Sequence, residues 1–295
     1  MKKIILVKSI KKNLLHPFNI LINHYNHWLA KNHLENYPQV AIFSFDHIGL
    51  RINLEGRYEN RDLFLIRDYL KSVIPYPYNS TALDIGANIG NHSVYFSDFF
   101  EGVFAFEPNP RTFALLKFNS EYSCLRSNIK CFNFGLSDQN GHLFFKSSQS
   151  NIGGSAIVSE ISKIANESVF LIDVKRADEI EELFERDISL IKIDIEGHEL
   201  QALKGARELI KKNKPIILFE QHEDEFINGT SNVVDYLNEL NYKFLTIEES
   251  FYFGDSFFLE FLGLILRSIF GYKLLLTERE YFQKRSYDMI VAVPN

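Results

Sequence analysis

From Thr81 onward, short apolar runs alternate with amphipathic stretches, and the spacing of apolar positions switches between a strand period and a helix period. TALDIG, VFAFEP, IKCFNFGLSD, HLFFKSS, ISLIKIDIEG, PIILFEQ, YKFLTIE and YDMIVAVP read as strands. HSVYFSDFF, RTFALLKFNSEY, ELQALKGARELIKK and SNVVDYLNEL read as helices. Apolar strands separated by helices predict a mainly parallel sheet covered by helices on both faces, a Rossmann-like α/β fold. Ligands of such sheets bind beyond the carboxyl ends of the strands, so the residues that follow each strand are the ones to inspect.

The preceding part reads differently. Residues 1–37 read as a helical arm, and residues 40–55 as extended chain with a hairpin around His47-Ile48-Gly49. Residues 62–74 place Leu63, Phe64, Ile66, Leu70 and Val73 on one helical face. A turn-rich stretch at residues 75–80 then divides the chain into an amino-terminal arm and hairpin (1–74) and a main domain (75–295). No internal repeat or low-complexity linker is present. Near the end, residues 251–276 form an apolar stretch. Taken as a helix, it carries Ser256, Glu260, Gly263, Arg267 and Gly271 on one narrow polar stripe. A membrane-surface helix, a lid, a dimer face and a core helix are all open readings of it.

Charge sharpens the picture. The chain carries −6 overall, which argues against a general nucleic-acid binder. The first 34 residues hold six lysines and no acid, so the remainder carries −12. A basic arm on an acidic body suits contact with an anionic surface, a membrane or a lipid-linked phosphate. The start of the chain is a poor signal peptide, because its apolar run is broken by Lys8, and no apolar stretch is long enough to span a bilayer. Cys124 and Cys131 fit neither a disulfide framework nor a zinc site. A cytoplasmic setting, with peripheral contact at the inner face of a membrane, is the expectation.

The first strand ends in Asp84 and is followed by Gly86-Ala87-Asn88-Ile89-Gly90, where two glycines allow a tight turn and close approach of a ligand. Glu107, after the second strand, stands where an acid can accept from both ribose hydroxyls. A nicotinamide or flavin dinucleotide would require glycine in place of Asn88 and a small residue in place of Asn91. Adenosylmethionine carries no phosphate, and its amino-acid moiety suits an Asp beside a turn of polar side chains.

TALDIGANIGNHSVYFS, AFEPNP, FNFGLSDQNG, NIGGSA, LIKIDIEGHELQALKGA and PIILFEQHE occur in that order, and together they resemble the FkbM-type methyltransferase family over roughly residues 55–225. The resemblance implies a class I methyltransferase fold, S-adenosyl-L-methionine as cofactor and transfer to oxygen, commonly a hydroxyl of a sugar or of a glycosylated product. By position it implies cofactor roles for Asp84, Gly86, Asn88, Gly90 and Glu107. Ser137 and Asp138 stand where that fold meets the adenine, and Tyr58, in a Tyr58-Glu59 pair, closes over the cofactor.

Methyl transfer is an in-line displacement that gains from alignment, and an aliphatic hydroxyl must also lose its proton. Asp194, at the end of a strand that carries Lys192 on the same side, and His198, at the start of a helix, are the two candidate bases. Glu220 and His222, after the next strand, shape the acceptor site. Asp194, Glu196, Glu220 and His222 are hard-ligand types, but spacing alone assigns no metal. His16, His24, His27, His33 and His47 have no convincing partner spacing. The fourth strand lacks the Asp-Pro-Pro-Tyr or Asn-Pro-Pro-Tyr motif of base amino methylation. The expected function is O-methylation of a sugar hydroxyl in a surface polysaccharide or glycolipid. A nucleotide-dependent oxidoreductase and a non-catalytic binding protein on the same fold are the alternatives.

Overall fold

The structure is a computed structural model of the 295-residue chain. It describes residues 16–74, 77–148, 156–158, 167–250 and 256–295. Three helices precede the sheet: His16–Asn36 (α1), His47–Glu55 (α2) and Asn60–Val73 (α3). The hairpin expected over residues 40–55 is absent, and its supposed turn lies inside α2. Both ends of α2 carry helix signals that outweigh the alternation. Asp46 caps the amino terminus by accepting from the Ile48 N–H, and Gly56 closes the other end in the left-handed region at φ 81°.

The alternating part follows, with strands Thr81–Ile85 (β1), Gly102–Phe106 (β2) and Ile129–Phe132 (β3) separated by helices Asn91–Ser97 (α4) and Pro110–Tyr122 (α5). Next come Gly135–Leu136 (β4), Gly141–Ser148 (β5), Ala156–Val158 (β6) and Glu167–Lys175 (β7), then Glu181–Phe184 (α6) and Ile188–Ile193 (β8). Helices Glu199–Gly205 (α7) and Arg207–Asn213 (α8) lead to Ile216–Gln221 (β9), Asn232–Glu239 (α9) and Tyr242–Glu249 (β10). Phe257–Phe270 (α10), Leu274–Arg279 (β11) and Tyr287–Pro294 (β12) complete the chain.

Eight strands form the main sheet in the order β11-β10-β12-β9-β8-β1-β2-β3. The five from β9 to β3 are parallel, whereas β12, β10 and β11 join antiparallel at one edge. The expected mainly parallel α/β sheet is therefore present, and its five parallel strands deliver their carboxyl ends to one rim. Three boundaries differ from the sequence reading. The single strand expected over IKCFNFGLSD splits, β3 staying in the main sheet while β4 begins a second one of order β4-β7-β5-β6. The helix expected over ELQALKGARELIKK breaks at Ala206 into α7 and α8. The apolar stretch near the end is helical over α10 only, and Leu274 to Leu276 already belong to β11.

Alternation along β1 sends Leu83 and Ile85 into one core layer and Ala82 into the other, as a parallel strand buried on both faces requires. The first layer packs Phe106, Ile191, Ile193 and Phe219 under α7, α8 and α9. The second packs Phe96, Phe100, Val103 and Leu190 against Leu63, Ile66 and Leu70 of α3. Among the described residues no helix is long and apolar enough to cross a membrane. Phe96 is fully buried and meets Tyr95, Phe99 and Phe100 at ring-contact distances. Phe96→Ala is expected to destabilise the protein by about 3–5 kcal/mol, read as a shift in the urea unfolding midpoint at constant slope.

Candidate active site

The rim of the parallel strands is organised by the turn after β1. The Gly86 and Ala87 N–H groups both donate to the Phe106 carbonyl at 3.0 Å, binding that turn to the end of β2. Gly86 sits at φ 81°, and a Cβ there would lie 1.9 Å from the Asp194 carbonyl oxygen. No other residue could let the ends of β1 and β8 approach so closely. Asn88, at φ 51°, continues the turn, and Gly90, at φ 90°, delivers the chain into α4.

A small cleft of about 60 Å³ opens over this turn. Gly86, Asn88, Glu107, Asp194, Ile195 and Glu196 line it, and Pro108, Leu136, Phe145 and Ile172 supply apolar wall. Glu107 is buried, with its Oε2 accepting from the Asn88 N–H at 2.9 Å and its Oε1 from the Asn109 N–H at 2.8 Å. Burial pushes its carboxyl up to about 7 against those hydrogen bonds. The carboxylate retains lone pairs for hydroxyl donors in the cleft. Asn109 Nδ2, also buried, has no hydrogen-bond partner among the described residues. The donors, acceptors and apolar walls fit a ligand with a ribose and a flat heterocycle.

Beneath the turn lies a buried charge chain. Lys192 Nζ donates to Asp194 Oδ2 at 3.0 Å and stands 3.8 Å from Asp84 Oδ1. Burial works to lower the Lys192 ammonium, but the two carboxylates outweigh it and raise its pKa, so it stays charged. Burial likewise works to raise Asp194, and Lys192 outweighs it, holding Asp194 below the ordinary carboxylate range. Asp84 is fully buried; its Oδ2 accepts from Ser93 Oγ at 2.5 Å, while its Oδ1 has no hydrogen-bond partner among the described residues. Ser93 belongs to the first turn of α4, as do Asn91 and His92. Asn91 exchanges two hydrogen bonds with the Tyr58 backbone, and His92 Nε2 meets Glu59 Oε2 at 3.0 Å.

The acids converge around Asp194. Glu220 at the end of β9 hydrogen-bonds Asp194, and burial together with the charges of Asp194, Glu196 and Asp288 pushes it far above the usual range. It therefore carries a proton near neutrality and donates it to Asp194. His222 bridges the outer side, with Nε2 3.0 Å from Glu196 Oε2 and Nδ1 3.8 Å from Glu220 Oε1. Burial works to lower His222, and Glu196 outweighs it, so its pKa is raised. Tyr58 faces the same acids: burial, then Glu59, Asp194 and Glu220, push its hydroxyl upward, keeping it a neutral donor.

The residues expected at the site thus divide. Gly86, Asn88, Glu107 and Asp194 line the cleft, Asp84 lies directly below, and Glu220, His222 and Tyr58 gather around Asp194. Ser137, Asp138 and His198 do not join them. Ser137 is buried, its Oγ bonded to His198 Nε2 at 2.9 Å, while Asp138 is exposed, and the strand leads Gly135 and Leu136 to the cleft instead. Burial lowers the His198 pKa, so its ring is neutral, but it stands at the N-cap position of α7 with its Nε2 turned to Ser137. Lys192, Ser93, His92 and Asp288 are members that sequence reasoning either missed or left as scaffold. The NHS run after the glycine turn carried a signal for two of them, whereas Asp288 reaches the site only because β12 inserts beside β9. No group of three or more His, Cys, Asp or Glu with metal-binding geometry occurs among the described residues.

Lys192→Met would leave two adjacent carboxylates without their counter-charge. We expect a loss of about 3–5 kcal/mol at neutral pH, shrinking as acid protonates the carboxylates, measured by urea denaturation across pH.

Several known proteins resemble this chain. The chain is 30% identical over 168 residues to the hexuronic acid methyltransferase AglP of Haloferax volcanii, a match covering 56% of this chain and 66% of that protein. It is 27% identical over 173 residues to methyltransferase 1 of Beauveria bassiana, covering 52% and 68%. Methyltransferase FkbM from Methylobacillus flagellatus KT superposes with a TM-score of 0.41 at 22% identity, covering 59% of this chain and 41% of that one. Residues 84–244 match the methyltransferase FkbM domain, more than half of the chain. The chain belongs to the FkbM methyltransferase domain family.

Proposed function

We propose that this chain is an S-adenosylmethionine-dependent O-methyltransferase that acts on a sugar hydroxyl of a surface polysaccharide, glycolipid or related product. The observation that carries the reading is the position of Asp194. It ends the cleft walled by the Gly86 turn and Glu107, and it also belongs to the acid cluster of Glu220, Glu196 and His222. When bound, S-adenosylmethionine supplies a methyl group made electrophilic by a sulfonium. Gly86 and Asn88 would give it close backbone approach, Glu107 would accept from its ribose hydroxyls, and Leu136, Phe145 and Ile172 would offer an apolar wall to its adenine.

Asp194 accepts a hydrogen bond from the acceptor hydroxyl and aligns its oxygen behind the methyl carbon. As a new C–O bond formed and the methyl–sulfur bond broke, leaving the neutral thioether S-adenosylhomocysteine, the hydroxyl proton would pass to Asp194. A carboxylate with a depressed pKa is a weak base, but proton loss here accompanies bond formation instead of preceding it. Glu220 holds Asp194 in place through its own proton, and His222 sits beside the pair as an outlet toward solvent. The base role falls to Asp194 instead of His198, whose Nε2 is taken by Ser137. The hexuronic acid methyltransferase relative supports a sugar acceptor, and an acid-lined site favours a hydroxyl over a group needing only desolvation. A dinucleotide oxidoreductase has no comparable support from the family match.

Calorimetric titration with S-adenosylhomocysteine, with NAD(H) alongside, tests the class: binding of the former alone is expected, and binding of NAD(H) alone would refute the reading. Asp194→Asn is expected to keep S-adenosylhomocysteine affinity while lowering transfer to uronic-acid oligosaccharides by roughly 10²-fold or more. Equal loss of both would refute the division of roles. Glu107 accepts ribose hydroxyls best as a carboxylate, and its carboxyl sits at about 7. Affinity for S-adenosylhomocysteine should therefore fall as pH drops through that value, toward about tenfold per unit. Glu107→Gln should bind weakly with a flat profile.

A further inference from the structure

Two helices turn apolar faces to solvent, and neither serves the cleft. In α1 every residue from 17 to 28 is exposed, and the helix is first covered at Leu29. Phe18, Leu21, Ile22, Tyr25 and Trp28 recur at helical spacing along one side, each more than half exposed. Tyr25 and Trp28 stack at 6.0 Å. A stretch of helix this short, covered by none of the described residues, is marginal in water, so its stripe needs a partner. In α10 the polarity is reversed relative to an ordinary surface helix. The middle of its polar stripe points inward: Gly263 is buried, and Arg267 donates to Glu249 at 2.7 Å. Its apolar residues Phe261, Leu264, Ile265 and Ile269 point outward.

The two helices meet the body at one corner. Asn60 donates to the hydroxyl of Tyr37, directly after α1, at 2.9 Å. Its neighbour Arg61 donates to the hydroxyl of Tyr272, just after α10, at 3.1 Å, and shares Glu249 with Arg267. All six charges of the first 34 residues are lysines, on a chain whose remainder is −12. An acidic body repels an anionic bilayer, and the only strongly basic segment directly precedes the exposed stripe.

We propose that α1 and α10 form a docking face for an anionic lipid bilayer. The apolar stripes lie in the interfacial plane without crossing it, and the lysine charge that the sequence places ahead of α1 favours anionic over neutral headgroups. Tyr25 and Trp28 are side chains that favour that depth. The face is independent of the methyl-transfer reading. Glu59 and Tyr58, immediately before Asn60, nevertheless bring it next to the acid cluster.

Flotation of the full chain with vesicles of phosphatidylcholine, with or without about 30% phosphatidylserine, tests the proposal. Binding to the anionic vesicles is expected to exceed that to neutral ones by about tenfold or more, and to weaken in high salt. Leu21→Glu/Tyr25→Glu in α1 and Leu264→Glu/Ile265→Glu in α10 should each cut binding about tenfold. These positions are exposed, so the variants should melt like the parent. Lys8→Glu/Lys11→Glu/Lys12→Glu, which touches no apolar position, should remove the preference for anionic lipid. Failure to float with anionic vesicles would overturn the proposal, as would equal flotation of parent and all variants. A parent that is dimeric by light scattering, does not float, and becomes monomeric in the glutamate variants would assign the face to a second copy of the chain.

Discussion

The site depends on one buried cation. Lys192 lies between Asp84 of β1 and Asp194 beyond β8, and without it two carboxylates would face each other away from water. Desolvation alone would push Asp194 toward its neutral form and remove a charge that defines the site. The ammonium reverses this, keeping Asp194 ionised while the neighbouring Glu220 is driven to hold a proton. One carboxyl of each kind, side by side, gives an acceptor and a donor from the same residue chemistry. The contrast comes from position alone: one acid has a buried lysine behind it, and the other stands among acids with only the half-exposed His222 beside it.

The glycine turn serves the same arrangement. The absence of a Cβ at Gly86 brings the Asp194 backbone against β1, and the Asp194 N–H donates to the Ile85 carbonyl. The cleft wall and the acid cluster are thus held by one interstrand junction. The first turn of α4 extends that junction outward. Asn91, His92 and Ser93, three consecutive residues, hold the Tyr58 backbone, the Glu59 carboxylate and Asp84 respectively. A helix whose side chains fan out at 100° steps can serve three directions at once, and here each direction is a different part of the site.

Most of the sheet was legible because parallel strands buried on both faces are apolar nearly throughout, and the cofactor-side residues were legible because they follow strands directly. Three kinds of feature were not. The α2 segment alternates like a strand over a few residues, and only the pair Asp46 and Gly56 marks it as capped helix. Ser137 and Asp138 follow a strand, but that strand leaves the main sheet after Phe132, so its end points elsewhere. Asp288 lies on an antiparallel strand inserted out of sequence order, and no local pattern announces which strand it will pair with. His198 shows the same limit at the level of one side chain. Its place after a strand was readable, but its engagement by Ser137 was not, because that partner is 61 residues away.

The helix α3 separates the unit that recurs among relatives from the unit that can fold. The family match spans residues 84–244, yet Leu63, Ile66 and Leu70 fill one face of the sheet within that span, and Met289 and Val291 complete it from the other end of the chain. A fragment trimmed to the shared region would keep every cleft-lining residue while exposing half of its own core. The shared pattern takes in the rim of the sheet, and the layer that supports that rim is drawn from both ends of the chain outside the pattern.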